Sequence, residues 1–119
     1  MTELAPDPIT PLREPPTGVP PLTDTPAALE RVIARLRGGQ GPVAADSERA
    51  SGFRYHVRAE LVQLFRRGSG LVLIDARALP ELSGVSEALA GVEWVFHAAS
   101  QDLPCMRECG IRPDLIFDT

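Results

Sequence analysis

Three acidic residues carry the most specific chemistry in this sequence. Asp46-Ser47-Glu48 follows the apolar run Val43-Ala44-Ala45. On a strand, residues i and i+2 share a face, so the two carboxylates project together and repel at neutral pH unless positive charge lies between them. A hard divalent cation, Mg²⁺ or Mn²⁺, answers that repulsion, since it prefers carboxylate oxygen and keeps waters that a phosphate oxygen can displace. The plain alternative is the acidic start of a solvated loop. Asp102 lies beyond a second apolar run, Val92 to Phe96, in the first turn of an expected helix. From there it reaches the strand ends where α/β sites gather, or else it only complements the helix dipole. Acids converging from the ends of two neighbouring strands would suit metal-assisted phosphoryl chemistry.

The elements that must position these acids are readable from period and punctuation. Seven prolines fall between Met1 and Leu22, which denies that stretch regular hydrogen bonding and makes it an extended or flexible leader. Thr25 then reads as an N-cap with Pro26 at the first helical position. Leu29, Val32, Ile33 and Leu36 recur at helical spacing, and Gly38-Gly39 stops the helix near Arg37. Strands are expected at Val43–Ala45, running into the acids, and at Leu61–Phe65 and Leu71–Ile74. Arg66-Arg67-Gly68-Ser69-Gly70 joins the last two as a hairpin, whereas a wider loop follows Glu48. Ser83 is read as the cap of a second helix ending at Gly91. Val92–Phe96 is then a buried strand reached by a crossover to a parallel neighbour. A third helix starts near Ser100 or Gln101 and ends at Gly110, and Leu115–Phe117 forms a last strand. This order of elements is mixed α/β.

Composition bounds the function. The 119 residues allow one domain, and 44% hydrophobic with 24% charged residues describes an ordinary globular chain. The net charge of −4 supplies no global field for nucleic acid, so any such binding must rest on a local patch or on metal ions. All twelve basic residues are Arg, which fits coding bias and also suits bidentate phosphate contacts. Arg49, Arg54, Arg58, Arg66 and Arg67 concentrate after the acids, as a phosphate-steering segment or as solvated loop and turn. Phe53 is the aromatic best suited to stack on a base. Cys105 and Cys109 lack zinc-ligand spacing and read as buried thiols, while Trp94 and Phe96 read as core. With no signal peptide, no membrane span and few cysteines, the expected location is the cytoplasm and no membrane partner is expected.

The segments Val43-Ala44-Ala45-Asp46-Ser47-Glu48-Arg49-Ala50-Ser51-Gly52-Phe53-Arg54-Tyr55, Leu61-Val62-Gln63-Leu64 and His97-Ala98-Ala99-Ser100-Gln101-Asp102-Leu103 together resemble the ribonuclease D group of 3′-to-5′ exonucleases. The similarity runs from about Pro20 to Thr119. It implies a ribonuclease H-like α/β fold, a mixed five-stranded sheet with flanking helices, and membership of the DEDD class, named for four acidic metal ligands. The organisation it implies is a Pro-rich leader over residues 1–22 and a partial, C-terminally truncated exonuclease domain over residues 23–119.

Asp46 and Glu48 match the first exonuclease motif and Asp102 the acid of the second. The resemblance makes them the catalytic ligands of two divalent ions, Mg²⁺ or Mn²⁺, that clamp a scissile phosphate. Asp46 bridges both ions, Glu48 holds the one that activates water, and Asp102 helps hold the other. His97, Arg49, Phe53 and Arg54 become nucleic-acid contacts. The implied partner is RNA, a tRNA precursor or another structured RNA 3′ end, with single-stranded DNA as the alternative. The third motif, a Tyr four residues before the last Asp, is missing, since the only Tyr is Tyr55. The chain alone is therefore expected to be inactive or nearly so. The competing reading is a non-catalytic nucleic-acid-binding or interaction module derived from the same fold. A sheet face without its later helices is also expected to expose Val43, Val95 and Ile116.

Overall fold

The computed structural model describes residues 19–48, 60–97 and 99–119. Its elements are β1 (Leu22–Thr23), α1 (Pro26–Arg37), β2 (Gln40–Glu48), β3 (Leu61–Arg67), β4 (Gly70–Asp75), α2 (Ser83–Ala88), β5 (Glu93–Phe96), α3 (Ala99–Glu108) and β6 (Leu115–Asp118). They build a mixed sheet of order β1-β4-β3-β2-β5-β6. β2, β3 and β4 are antiparallel neighbours, whereas β5 joins β2, β6 joins β5 and β1 joins β4 in parallel. The five expected strands are thus present, and the two-residue β1 adds a sixth where a leader is expected to end.

α1 follows its sequence signals. Thr25 is the N-cap, its hydroxyl accepting the Ala28 N–H at 3.2 Å, and Pro26 starts the first turn. β3 turns into β4 through Gly68 and Ser69, with positive φ at Gly68 (92°) and Gly70 (75°), conformations that a side chain would strain. The register of β2 on β3 shifts between Gln40 and Val43, which pair with Arg67 and Arg66, so Gly41 and Pro42 bulge from the ladder. Two sequence expectations change. Leu82 rather than Ser83 is the N-cap of α2 and makes no side-chain cap; instead Glu81 Oε1 accepts the Ser83 N–H at 2.8 Å. α3 starts at Ala99, one residue before the expected range.

Strand alternation decides what each side chain meets. Val43, Ala45, Val62, Leu64, Val72, Ile74, Trp94 and Phe96 form the inner face and are buried with Val32 and Leu36 of α1, Val85 of α2, and Ala99, Cys105 and Met106 of α3. Trp94 and Phe96, two apart on β5, stack with ring centroids 6.2 Å apart, an arrangement worth about 1 kcal/mol beyond their burial. Phe65, Leu115 and Phe117 are about half exposed and Ile116 is 40% exposed. Val95 is half-buried. Val43 corrects the expectation of exposure: it is fully buried, because it lies on the helix-covered side of β2. Among the described residues, no helix is long and apolar enough to cross a membrane.

Candidate functional site

β2 delivers its acids at its C-terminal end. Ala45 still faces the core, so alternation sends Asp46 and Glu48 to the opposite side, where both are exposed, and turns Ser47 back toward the helices, half-buried. Asp46 stands opposite Gln63 and Glu48 opposite Leu61 in the ladder. Asp46 Oδ1 accepts the Ser47 N–H at 2.9 Å. A shallow hollow of about 170 Å³, lined by Ala44, Gln63, Phe65 and Leu71, opens beside Asp46.

Asp102 comes to the same strand end from the helix side. It sits in the first turn of α3, where an acid meets the helix dipole favourably, and is 7% exposed. Its Oδ1 accepts a hydrogen bond from Ser47 Oγ at 2.8 Å, joining α3 to the strand that carries the other two acids. A second tie holds the start of α3, since the Ala99 N–H donates to Asp118 Oδ1 at the end of β6, 3.1 Å away.

The donor set is of the chemical kind a hard divalent ion takes. It consists of carboxylate oxygens, and among the described residues the one salt bridge joins Arg77 to Glu60 at 3.9 Å, so no described cation pairs with Asp46 or Glu48. Asp46 and Glu48 project from the face opposite the helices and Asp102 approaches from the helix face, and among the described residues no three His, Cys, Asp or Glu side chains are gathered to hold a metal. Ser47 lies between Asp46 and Glu48 in sequence and hydrogen-bonds both Asp46 and Asp102.

The remaining candidates separate clearly. Arg49, Phe53, Arg54 and Arg58 lie outside the described residues. Arg66 does not steer phosphate, because it is buried on the inner side, in step with Val62 and Leu64, and bonds the Leu36 and Gly41 carbonyls. His97 is exposed at the end of β5, with Nδ1 3.1 Å from Thr119 Oγ1. The Thr119 hydroxyl also donates to the Phe96 carbonyl, which makes Nδ1 the donor and leaves Nε2 as an acceptor when the ring is neutral. Cys105 and Cys109 are buried thiols, each directed at the carbonyl four residues earlier, at 3.6 and 3.5 Å. Sequence reasoning missed Ser47, although a hydroxyl between two acids, turned opposite to both by alternation, was the available signal.

Comparison with known proteins gives a consistent picture. A family model described as 3′-5′ exonuclease matches residues 21–119. A solved protein from Bifidobacterium adolescentis is 40% identical with a TM-score of 0.84, covering 91% of this chain and 27% of its own. Escherichia coli RNase D, an exoribonuclease involved in structured RNA processing, is 27% identical with a TM-score of 0.70, covering 82% of this chain and 26% of its own. The catalytic core of RRP6 from Trypanosoma brucei is 25% identical with a TM-score of 0.70, covering 83% of this chain and 29% of its own. The chain thus spans little more than a quarter of the length of these structures. No curated protein sequence matches it.

Proposed function

The chain belongs to the 3′-5′ exonuclease family, and on that premise we propose that it carries the metal-binding strand and helix of an RNase D-type nuclease that trims RNA from the 3′ end. The observation that carries this reading is the end of β2, where Asp46 and Glu48 project to one side without a described cation and Ser47 ties Asp102 to the same strand. RNA is the proposed substrate because RNase D, similar at 27% identity, is an exoribonuclease that processes structured RNA. Single-stranded DNA is the competitor to test against it.

Asp46, Glu48 and Asp102 would hold two divalent ions, Mg²⁺ or Mn²⁺. When bound, such ions polarise a phosphodiester and make a bound water acidic enough to attack it. The chain's own residues do the rest. Asp46 and Glu48 supply the negative charge that recruits the ions, which in turn explains how a protein of net charge −4 approaches a polyanion. The hollow beside Asp46 offers Phe65 and Leu71 to an apolar base face and the Gln63 amide to its edge. Arg49 and Arg54, close behind in sequence, are proposed to meet phosphates, with Phe53 between them as a stacking surface. His97, at the same edge of the sheet, presents Nε2 as an acceptor to the terminal nucleotide. Buried thiols at Cys105 and Cys109 suit a reducing, cytoplasmic setting.

Mn²⁺ titration followed by electron paramagnetic resonance tests the proposal. The wild-type chain is expected to bind Mn²⁺, and Asp46→Asn to weaken binding by at least about tenfold, as loss of a direct ligand requires. Binding that is absent, or unchanged by Asp46→Asn, overturns the metal reading. The open arrangement of the three acids favours a second reading, a nucleic-acid-binding module without catalysis. RNA binding without Mn²⁺ uptake would select it.

A further inference from the structure

The β1 edge of the sheet carries a cavity that the acids at the end of β2 do not use. β1 pairs only with Leu73 and Ile74, so the earlier part of β4 has no strand on that side. Pro20 and Pro21 lie there instead, and with no N–H to donate they cannot extend the ladder. Between them and α1 a groove of about 360 Å³ is left, lined also by Thr23, Arg31, Arg35 and Leu71. Three of these side chains lack the partners their chemistry calls for. Arg31 and Arg35 are exposed one turn apart on α1, like charges at i and i+4 that destabilise a helix. No acid stands three or four positions from either, and among the described residues neither guanidinium has an ion pair or a hydrogen bond. Thr23 is 6% exposed, and among the described residues its hydroxyl also meets no hydrogen-bond partner. A buried hydroxyl left open costs stability unless something polar fills the space beside it.

We infer that this groove holds phosphates of a single-stranded nucleic acid whose 3′ end lies at the hollow beside Asp46. A phosphate answers all three side chains at once, since a guanidinium takes it in a bidentate way and a hydroxyl donates to its oxygen. Asp24 lines the N-terminal end of the same groove, which drives an anion toward Arg31 and Arg35. Leu71 lines both the groove and the hollow, so the two cavities meet at one side chain and a single strand can cross from one to the other. Successive phosphates then meet Arg31 and Arg35, while Phe65 and Leu71 face the bases on the way. This inference rests on the nucleic-acid reading proposed above and needs no metal ion.

The test is binding of a fluorescent oligouridylate to the full chain in EDTA, followed over a series of salt concentrations. The double variant Arg31→Ala/Arg35→Ala is expected to lower the slope of log affinity against log salt by about 1.4, as loss of two phosphate contacts on a single strand requires. Arg37→Ala removes a charge from the same helix outside the groove and is expected to leave the slope unchanged. Thr23→Val keeps the shape and removes the hydroxyl. It is expected to weaken binding about threefold, within the worth of one neutral hydrogen bond, with a thermal midpoint no lower than that of the wild type. An unchanged slope in the double variant overturns the inference. A loss at Arg37→Ala half as large as that of the double variant also overturns it, since general charge rather than the groove would then be at work. Uridine monophosphate competing as strongly as the oligonucleotide would make the groove a site for a free nucleotide, which overturns it too. A wild-type chain that binds no oligonucleotide instead removes the nucleic-acid reading itself, and the assignment of the groove falls with it.

Discussion

The two ends of β2 handle charge in opposite ways. At its start, Arg66 of β3 is 9% exposed and tied to backbone: Nη1 donates to the Leu36 carbonyl at 2.7 Å and Nε to the Gly41 carbonyl at 2.8 Å. These acceptors are the end of α1 and the bulge, two places where backbone carbonyls lose their regular partners. Gly39 gives the side chain room, because a Cβ there would come within 2.9 Å of Arg66 Cδ and of the Arg67 carbonyl. At the far end, Asp46 and Glu48 are exposed without a described cation, and buried Asp102 is met by a hydroxyl. The fold consumes its cation where it needs stability and leaves Asp46 and Glu48 exposed where a ligand can reach them.

That contrast can be challenged by substitution. Arg66→Ala should cost most, about 2–4 kcal/mol in chemical denaturation, since two carbonyls lose a charged donor and one is buried. Arg66→Lys should recover only part, because an ammonium cannot span both acceptors as a guanidinium does. A loss under about 0.5 kcal/mol for Arg66→Ala would show that the start of β2 is no more structural than its end. Gly39→Ala should cost about 1–3 kcal/mol through crowding of the same side chain, and its effect should shrink in an Arg66→Ala background, as expected for residues in contact. Asp46→Asn should matter least for stability, moving it by no more than about 0.5 kcal/mol, the range for an exposed site, despite its large expected effect on Mn²⁺ binding. If it destabilised as much as Arg66→Ala, Asp46 would be structural and the contrast would disappear.

Sequence signals worked where physics is local. Thr25, Pro26 and Gly38 bracket α1, and the Gly68-Ser69-Gly70 connection fixes the β3–β4 hairpin. They failed where an assignment depends on a distant partner. β1 has two residues behind a diproline and no period of its own, and its strand geometry comes from pairing with Leu73 and Ile74. Proximity in sequence groups Arg66 with the steering arginines, whereas its step of two from Leu64 points it inward. D-x-E spacing marks the acids, whereas the contact of Ser47 follows only from alternation of the middle residue toward α3. Asp118 was missed for a related reason: its hydrogen bond to the Ala99 N–H spans 19 residues and leaves no local mark.

The bulge at Gly41 and Pro42 has an arithmetical consequence. Between two successive pairings β2 advances three residues while β3 advances one, so the insertion is an even number and the in-and-out order of everything downstream is preserved. An odd change in length at this point would exchange the two sides of the strand, turning Asp46 and Glu48 into the packed interior and Val43 and Ala45 into water. An even change would leave them where they are. Length variation tolerated here should therefore come in twos, which makes the loop-like dipeptide before the acids as constraining, by count alone, as the acids are by chemistry.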